Sequence, residues 1–141
     1  MTLSESEKPK VLVLEDDLMF SVRIEKTLTH LGYAPSIFTH SAEAIAFAEQ
    51  NTLALALVNF SSEQQAPGEV VKRIKAQADP PPVLGYCSHV SMPQIRPNAM
   101  AAGCNLLVAN SALTVRLPQL VAKVLASPPN AQDEEELTIE L

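Results

Sequence analysis

The chain has 141 residues, of which 47% are hydrophobic and 18% charged, with a formal net charge of −6. That is enough apolar material for one domain with a real core and too much for a disordered chain. Five of the acids (Asp133, Glu134, Glu135, Glu136 and Glu140) fall in the last nine residues, so the rest is nearly neutral and has no basic stripe for nucleic acid.

No apolar run approaches the ~20 residues that span a bilayer. The polar first nine residues lack the apolar centre of a secretion signal, so a cytoplasmic protein is expected. Residues 1–9 read as a flexible lead-in, 10–126 as the folded domain and 127–141 as an acidic, disordered tail closing in Leu137-Thr-Ile-Glu-Leu141.

The organising stretch is Lys10-Val-Leu-Val-Leu-Glu-Asp-Asp17. A continuous apolar run that meets a charge cluster predicts a strand buried on both faces, as in a parallel sheet between helices. Its acids then lie at the strand's C-terminal end, where open α/β sheets place their sites. Three neighbouring acids repel one another unless a cation or donor lies among them. Two readings stand: a residual divalent-cation site at Glu15 and Asp16, or a solvated cluster in which Asp17 caps the next helix.

Phe20, Ile24, Leu28 and Leu31 form an apolar helical stripe, and Gly32 suits the left-handed cap beyond it. Residues 33–38 are extended, and Pro35 marks them as an edge strand. Ser41 is placed as the cap of an alanine-rich second helix. Residues 53–58 form a second buried strand ending at Asn59, followed by a polar loop with Ser61 and Ser62. A helix over 68–78 uses Val70, Val71 and Ile74. Pro80, Pro81 and Pro82 force an extended entry into a strand over 83–87.

Pro93 and Pro97 lie four apart, and only one fits a helix's first turn. Either a short fourth helix over about 97–102, capped by Gly103, or an irregular segment before it is therefore predicted. Residues 106–109 form the fifth strand. Leu113, Leu117, Leu120, Val121 and Val124 define a last helix, with Thr114 as its N-cap and Pro118 in its first turn. Cys87 and Cys104 are expected at opposite edges of the sheet, as buried free thiols. His30, His40 and His89 have no metal-ligand spacing.

Five strands alternating with five helices predict a parallel sheet with helices on both faces. Glu15-Asp16 after the first strand, Gly32 after the first helix, Asn59 after the third strand and Gly103 before the fifth then line up with one family. Over 10–126 the chain resembles the receiver domain of bacterial response regulators. The resemblance implies a flavodoxin-like (βα)5 fold with strand order 2-1-3-4-5. It also implies a Mg²⁺ site at Glu15 and Asp16, a phosphoacceptor at the end of the third strand, and readout positions on the fourth and fifth strands.

The departures concern chemistry. The acceptor position holds Asn59, whose amide cannot form an acyl phosphate. The Lys-Pro position reads Asn110-Ser111. The Thr/Ser position falls at Cys87 or Ser88, and the aromatic switch at Leu106 or Leu107. The resemblance with these losses implies a stand-alone pseudo-receiver without enzymatic activity and without a cofactor beyond weakly held Mg²⁺. It would act in signal transduction by contacting a protein partner (a kinase, a regulator, a scaffold or a second copy) and neither nucleic acid nor membrane. The docking face implied is the fourth helix, fifth strand and fifth helix, exposing Met92, Ile95 or Arg96. Two alternatives are a receiver that still takes a phosphoryl group or cation at Glu15, Asp16 and Asp17, and a small-molecule binder on the same sheet. The second lacks a glycine-rich phosphate loop.

Overall fold

The computed structural model describes residues 7–62 and 65–126. The tail, most of the lead-in, and Glu63 and Gln64 of the polar loop lie outside the described residues. The order is β1 (Lys10–Leu14), α1 (Leu18–His30), β2 (Ala34–Phe38), α2 (Ser41–Gln50), β3 (Leu53–Asn59), α3 (Pro67–Lys75), β4 (Val83–Cys87), α4 (Met92–Ala102), β5 (Leu106–Ala109) and α5 (Asn110–Ala126). The strands form one parallel sheet in the order β2-β1-β3-β4-β5, the order the resemblance implied.

The continuous apolar strands are the central ones. In β1, Val11, Leu12, Val13 and Leu14 are at most 1% exposed, because helices cover both faces. Helix α1 packs against α5, α2 against α3, and α3 against α4. β2 is an edge strand, and its Pro35 pairs with Val11. Asp17 caps α1 by accepting a hydrogen bond from the Phe20 N–H at 2.9 Å. Ile24 and Leu28 are buried, Phe20 half-buried, and Leu31, predicted as the last residue of the stripe, is exposed.

Four local expectations need correction. Ser41 is the first residue of α2 rather than its cap, and its N–H donates to Gln65 Oε1 at 3.1 Å. Helix α3 is shifted, starting at Pro67 and ending at Lys75. Helix α4 begins at Met92, five residues before the predicted start, with Pro93 in its first turn and Pro97 inside it. Pro97 is exposed, so its ring meets solvent and the helix continues to Gly103, at φ +115°. A side chain at Gly103 would also run into Lys75 Cγ at 2.8 Å. Helix α5 starts at Asn110 and is kinked at Arg116 (φ −125°, ψ 26°), which puts Pro118 in the first turn of the second half. Thr114 does not cap; its hydroxyl donates back to the Ser111 carbonyl at 3.0 Å.

Candidate functional site

The C-terminal ends of β1, β3 and β4 bring Glu15, Asn59 and Tyr86 together. Glu15 is 2% exposed, a carboxylate almost wholly removed from water. Burial of that kind demands donors. The Tyr86 hydroxyl donates to Oε1 at 2.7 Å. The Asn59 side-chain amide donates across both oxygens, at 3.1 Å to each. The Asp17 N–H donates to Oε2 at 3.0 Å. Glu15 is therefore served by two neutral side chains and the backbone.

The orientation of Asn59 follows from the same network. Its Oδ1 accepts the Ser61 N–H at 2.8 Å. Turning the amide over would set oxygen against the Glu15 carboxylate and nitrogen against an N–H. Tyr86 is equally committed: burial first, then the charge and hydrogen bond of Glu15, push its phenol well above its ordinary pKa, so it remains a donor. Its ring packs against Phe20 with centroids 5.6 Å apart. The sequence reading missed Tyr86. The available signal was period-two alternation, which turns Tyr86 to the face opposite Cys87, beneath α1.

The three acids divide their work. Glu15 is buried in the network, Asp16 is exposed and accepts from Ser62 Oγ at 2.9 Å, and Asp17 caps α1. These residues fit a divalent cation poorly. The Glu15 oxygens already accept four contacts, and Asn59 offers them its nitrogen rather than presenting its oxygen as a ligand. Among the described residues no group of three or more His, Cys, Asp or Glu side chains is arranged to hold a metal ion. Asn110, at the start of α5, joins Glu15, Asp17, Met19, Phe20, Arg23 and Asn59 around a cleft of about 370 Å³. Its Oδ1 is buried without a hydrogen-bond partner.

The predicted readout positions are placed differently. The Ser88 N–H donates to Ser61 Oγ at 3.0 Å, while its hydroxyl pairs with Ser91 Oγ at 2.9 Å and receives the Ser91 N–H, at the entry to α4. Cys87 is buried, and burial pushes its thiol up to about 11 despite the opposing pull of Arg96. Leu106 and Leu107 are both buried and apolar. Cys104 is a buried free thiol like Cys87. A side chain on Gly85 would meet its sulfur at 2.7 Å, so Cys104 lies against the same face of β4 as Cys87. His30, His40 and His89 are exposed and far apart along the chain.

On the expected docking face, the placement of Met92 is a correction: it is 3% exposed, held in the core by the first turn of α4. Ile95 and Arg96 are half-buried, and an Arg96 guanidinium N–H donates to Met92 Sδ at 3.1 Å. The exposed apolar residues flanking this region are Val90 and Val115.

No protein-family model matches the chain, and no curated protein matches it in sequence. Solved structures do match in shape. A response regulator from Thermotoga maritima is 18% identical with a TM-score of 0.73, over 85% of this chain and 99% of that one. A sensor histidine kinase receiver domain from Pseudomonas aeruginosa, solved with magnesium in its active-site cleft, is 20% identical with a TM-score of 0.69, over 85% and 99%. A response regulator receiver protein from Burkholderia phymatum is 22% identical with a TM-score of 0.69, over 86% and 98%. In strand order and helix placement, the chain has the flavodoxin-like fold of receiver domains.

Proposed function

We propose that the chain is a receiver-type signalling module that works by contact with a protein partner and does not need phosphorylation. One observation carries this reading: the buried Glu15 carboxylate is satisfied by Asn59 and Tyr86, where a phosphoacceptor site needs a free acid pair, a third carboxylate and a cation. At the end of β5, Asn110 supplies no positive charge for a phosphoryl oxygen. Such a site is closed rather than merely empty of its acceptor. Signal output then rests on surfaces, and the α4-β5-α5 face, with the exposed Val90 and Val115 beside it, is the proposed contact for a kinase, regulator or scaffold. No described helix is long and apolar enough to cross a membrane.

An amide NMR titration with Mg²⁺, then beryllofluoride, tests the reading. The resonances of Glu15, Asp16, Asn59 and Ser88 are expected to stay in place. Asn59→Asp with Asn110→Lys should acquire a Mg²⁺ response, because the new carboxylate cannot donate to Glu15 and needs a cation between them. Shifts in the unaltered protein that spread from Asn59 to β5 would overturn the proposal.

A further inference from the structure

The solvent side of α1 is unusually apolar at its start. Leu18 is 77% exposed, Met19 73% and Val22 40%. Apolar side chains grouped in this way, unlike single ones, mark a contact surface. At 100° per residue Leu18, Val22, Lys26, Met19 and Arg23 follow one another around the helix, on the side opposite the buried Ser21, Ile24 and Leu28. Glu25 falls at the rim of this arc, where it lines a groove with Ile37 and Thr39.

The charges around the patch run in order along the chain. The exposed Asp16 and Asp17 precede it, and the exposed cations Arg23 and Lys26 follow. That order is complementary to its own reverse. In an antiparallel pair of α1 helices, with the two-fold axis level with the midpoint of Met19 and Val22, Met19 of each copy meets Val22 of the other. The same reversal carries Lys26 to the level of Glu15, next to Asp16, and Arg23 to the level of Leu18, next to Asp17. A parallel pairing would set Arg23 and Lys26 against their own copies. An acidic partner is repelled by Asp16 and Asp17, and a basic one by Arg23 and Lys26. We infer that two copies of the chain pair through antiparallel α1 helices, with Leu18, Met19 and Val22 as the apolar centre and acids meeting cations at both ends. The apolar contact gives the association, and the exposed ion pairs fix its direction. A single helix face is small beside a standard interface, so the dimer is weak. Helix α1 packs with α5 and α4 with α3, so the pairing leaves α4 open to the partner proposed above.

Sedimentation equilibrium of the full chain between ~20 μM and ~1 mM, the range of a weak interface, tests this. The weight-average mass should rise from one copy toward two. Met19→Lys, at an exposed position, should hold it at one copy. So should Lys26→Glu or Asp16→Lys alone, each of which sets like charges together at both ends, with amide spectra showing that the variants stay folded. An equimolar mixture of Lys26→Glu and Asp16→Lys should associate again, because every end then joins opposite charges. A chain that stays at one copy at the highest concentration overturns the inference. So does a dimer that survives Met19→Lys, which would lie on another face, and so does a mixture that fails to associate, which would rule out the antiparallel arrangement.

Discussion

At the N-terminal end of β4 the buried Asn105 side chain accepts from the Val83 N–H at 2.8 Å and from Lys75 Nζ at 2.6 Å. At the C-terminal end, the buried Glu15 accepts from Tyr86, Asn59 and Asp17. The first knot joins a neutral acceptor to a cation; the second joins an anion to neutral donors. The half-buried Lys75 thus ties α3 to the entry of β5, remote from the acids, where its ammonium also holds the Pro81 carbonyl at 2.9 Å. Charge at the acid end is balanced by hydrogen bonds alone. The two ends therefore differ in kind and not only in composition.

Removing the acceptor at the first knot should have the largest effect. Asn105→Ala strands the buried Val83 N–H and takes one partner from Lys75. With ~1–3 kcal/mol for each stranded donor, the loss should be about 2–5 kcal/mol. Urea unfolding with an unchanged slope would measure it. A loss much below 1 kcal/mol would mean that water replaces Asn105, and the two ends would then be alike.

Tyr86→Phe makes the corresponding break at the acid end. It removes one donor from a buried anion and keeps the ring on Phe20, so the cost should be about 1.5–3 kcal/mol. The comparison sharpens if Asn59→Asp is added to this variant. Glu15 then has only the Asp17 N–H and faces a second carboxylate, so added Mg²⁺ should stabilise the double variant and leave the single one unchanged. Equal responses of the two variants to Mg²⁺ would show that Tyr86, and not the Asn59 amide, keeps a cation out.

Much of this architecture is legible from residue order. Unbroken apolar runs gave β1 and β3 because parallel strands bury both faces, and Asp17 and Gly32 marked the ends of α1 by backbone chemistry that acts locally. The acid pair and the amide at Asn59 located the site. What could not be read were pairings across strands: nothing near Tyr86 in sequence says that its hydroxyl meets Glu15, 71 positions away. Prolines misled for a related reason. A proline inside a helix removes one N–H, and packing of Met92, Ala99 and Met100 against the core overrides that local penalty in α4. In α5 the chain yields instead, at Arg116, and the kink gives Pro118 a first turn of its own.

The smallest expected effect separates the two ends by titration. Burial pushes the Cys104 thiol, beside Lys75, up to about 12, and raises Tyr86 at the acid end. Both groups ionise more readily in the unfolded chain, which therefore binds fewer protons than the folded one above pH ~9, and stability falls as pH rises. Lys75 has the opposite sign: burial lowers its pKa, so it contributes stability that increases with pH up to its unfolded value near 10.5. Cys104→Ala isolates one contribution. Below pH ~8.5 its stability should differ from that of the unaltered protein by a constant amount, set by the small space it opens against Gly85. From pH ~9 the two curves should converge, by about 1 kcal/mol at pH ~9.5–10, because the unaltered protein must keep the Cys104 thiol protonated to stay folded, while Cys87 contributes equally to both. Parallel curves would mean that the folded protein admits the thiolate, for which the ammonium of Lys75 is the neighbouring counter-charge; the N-terminal knot would then tolerate an anion just as the acid end does.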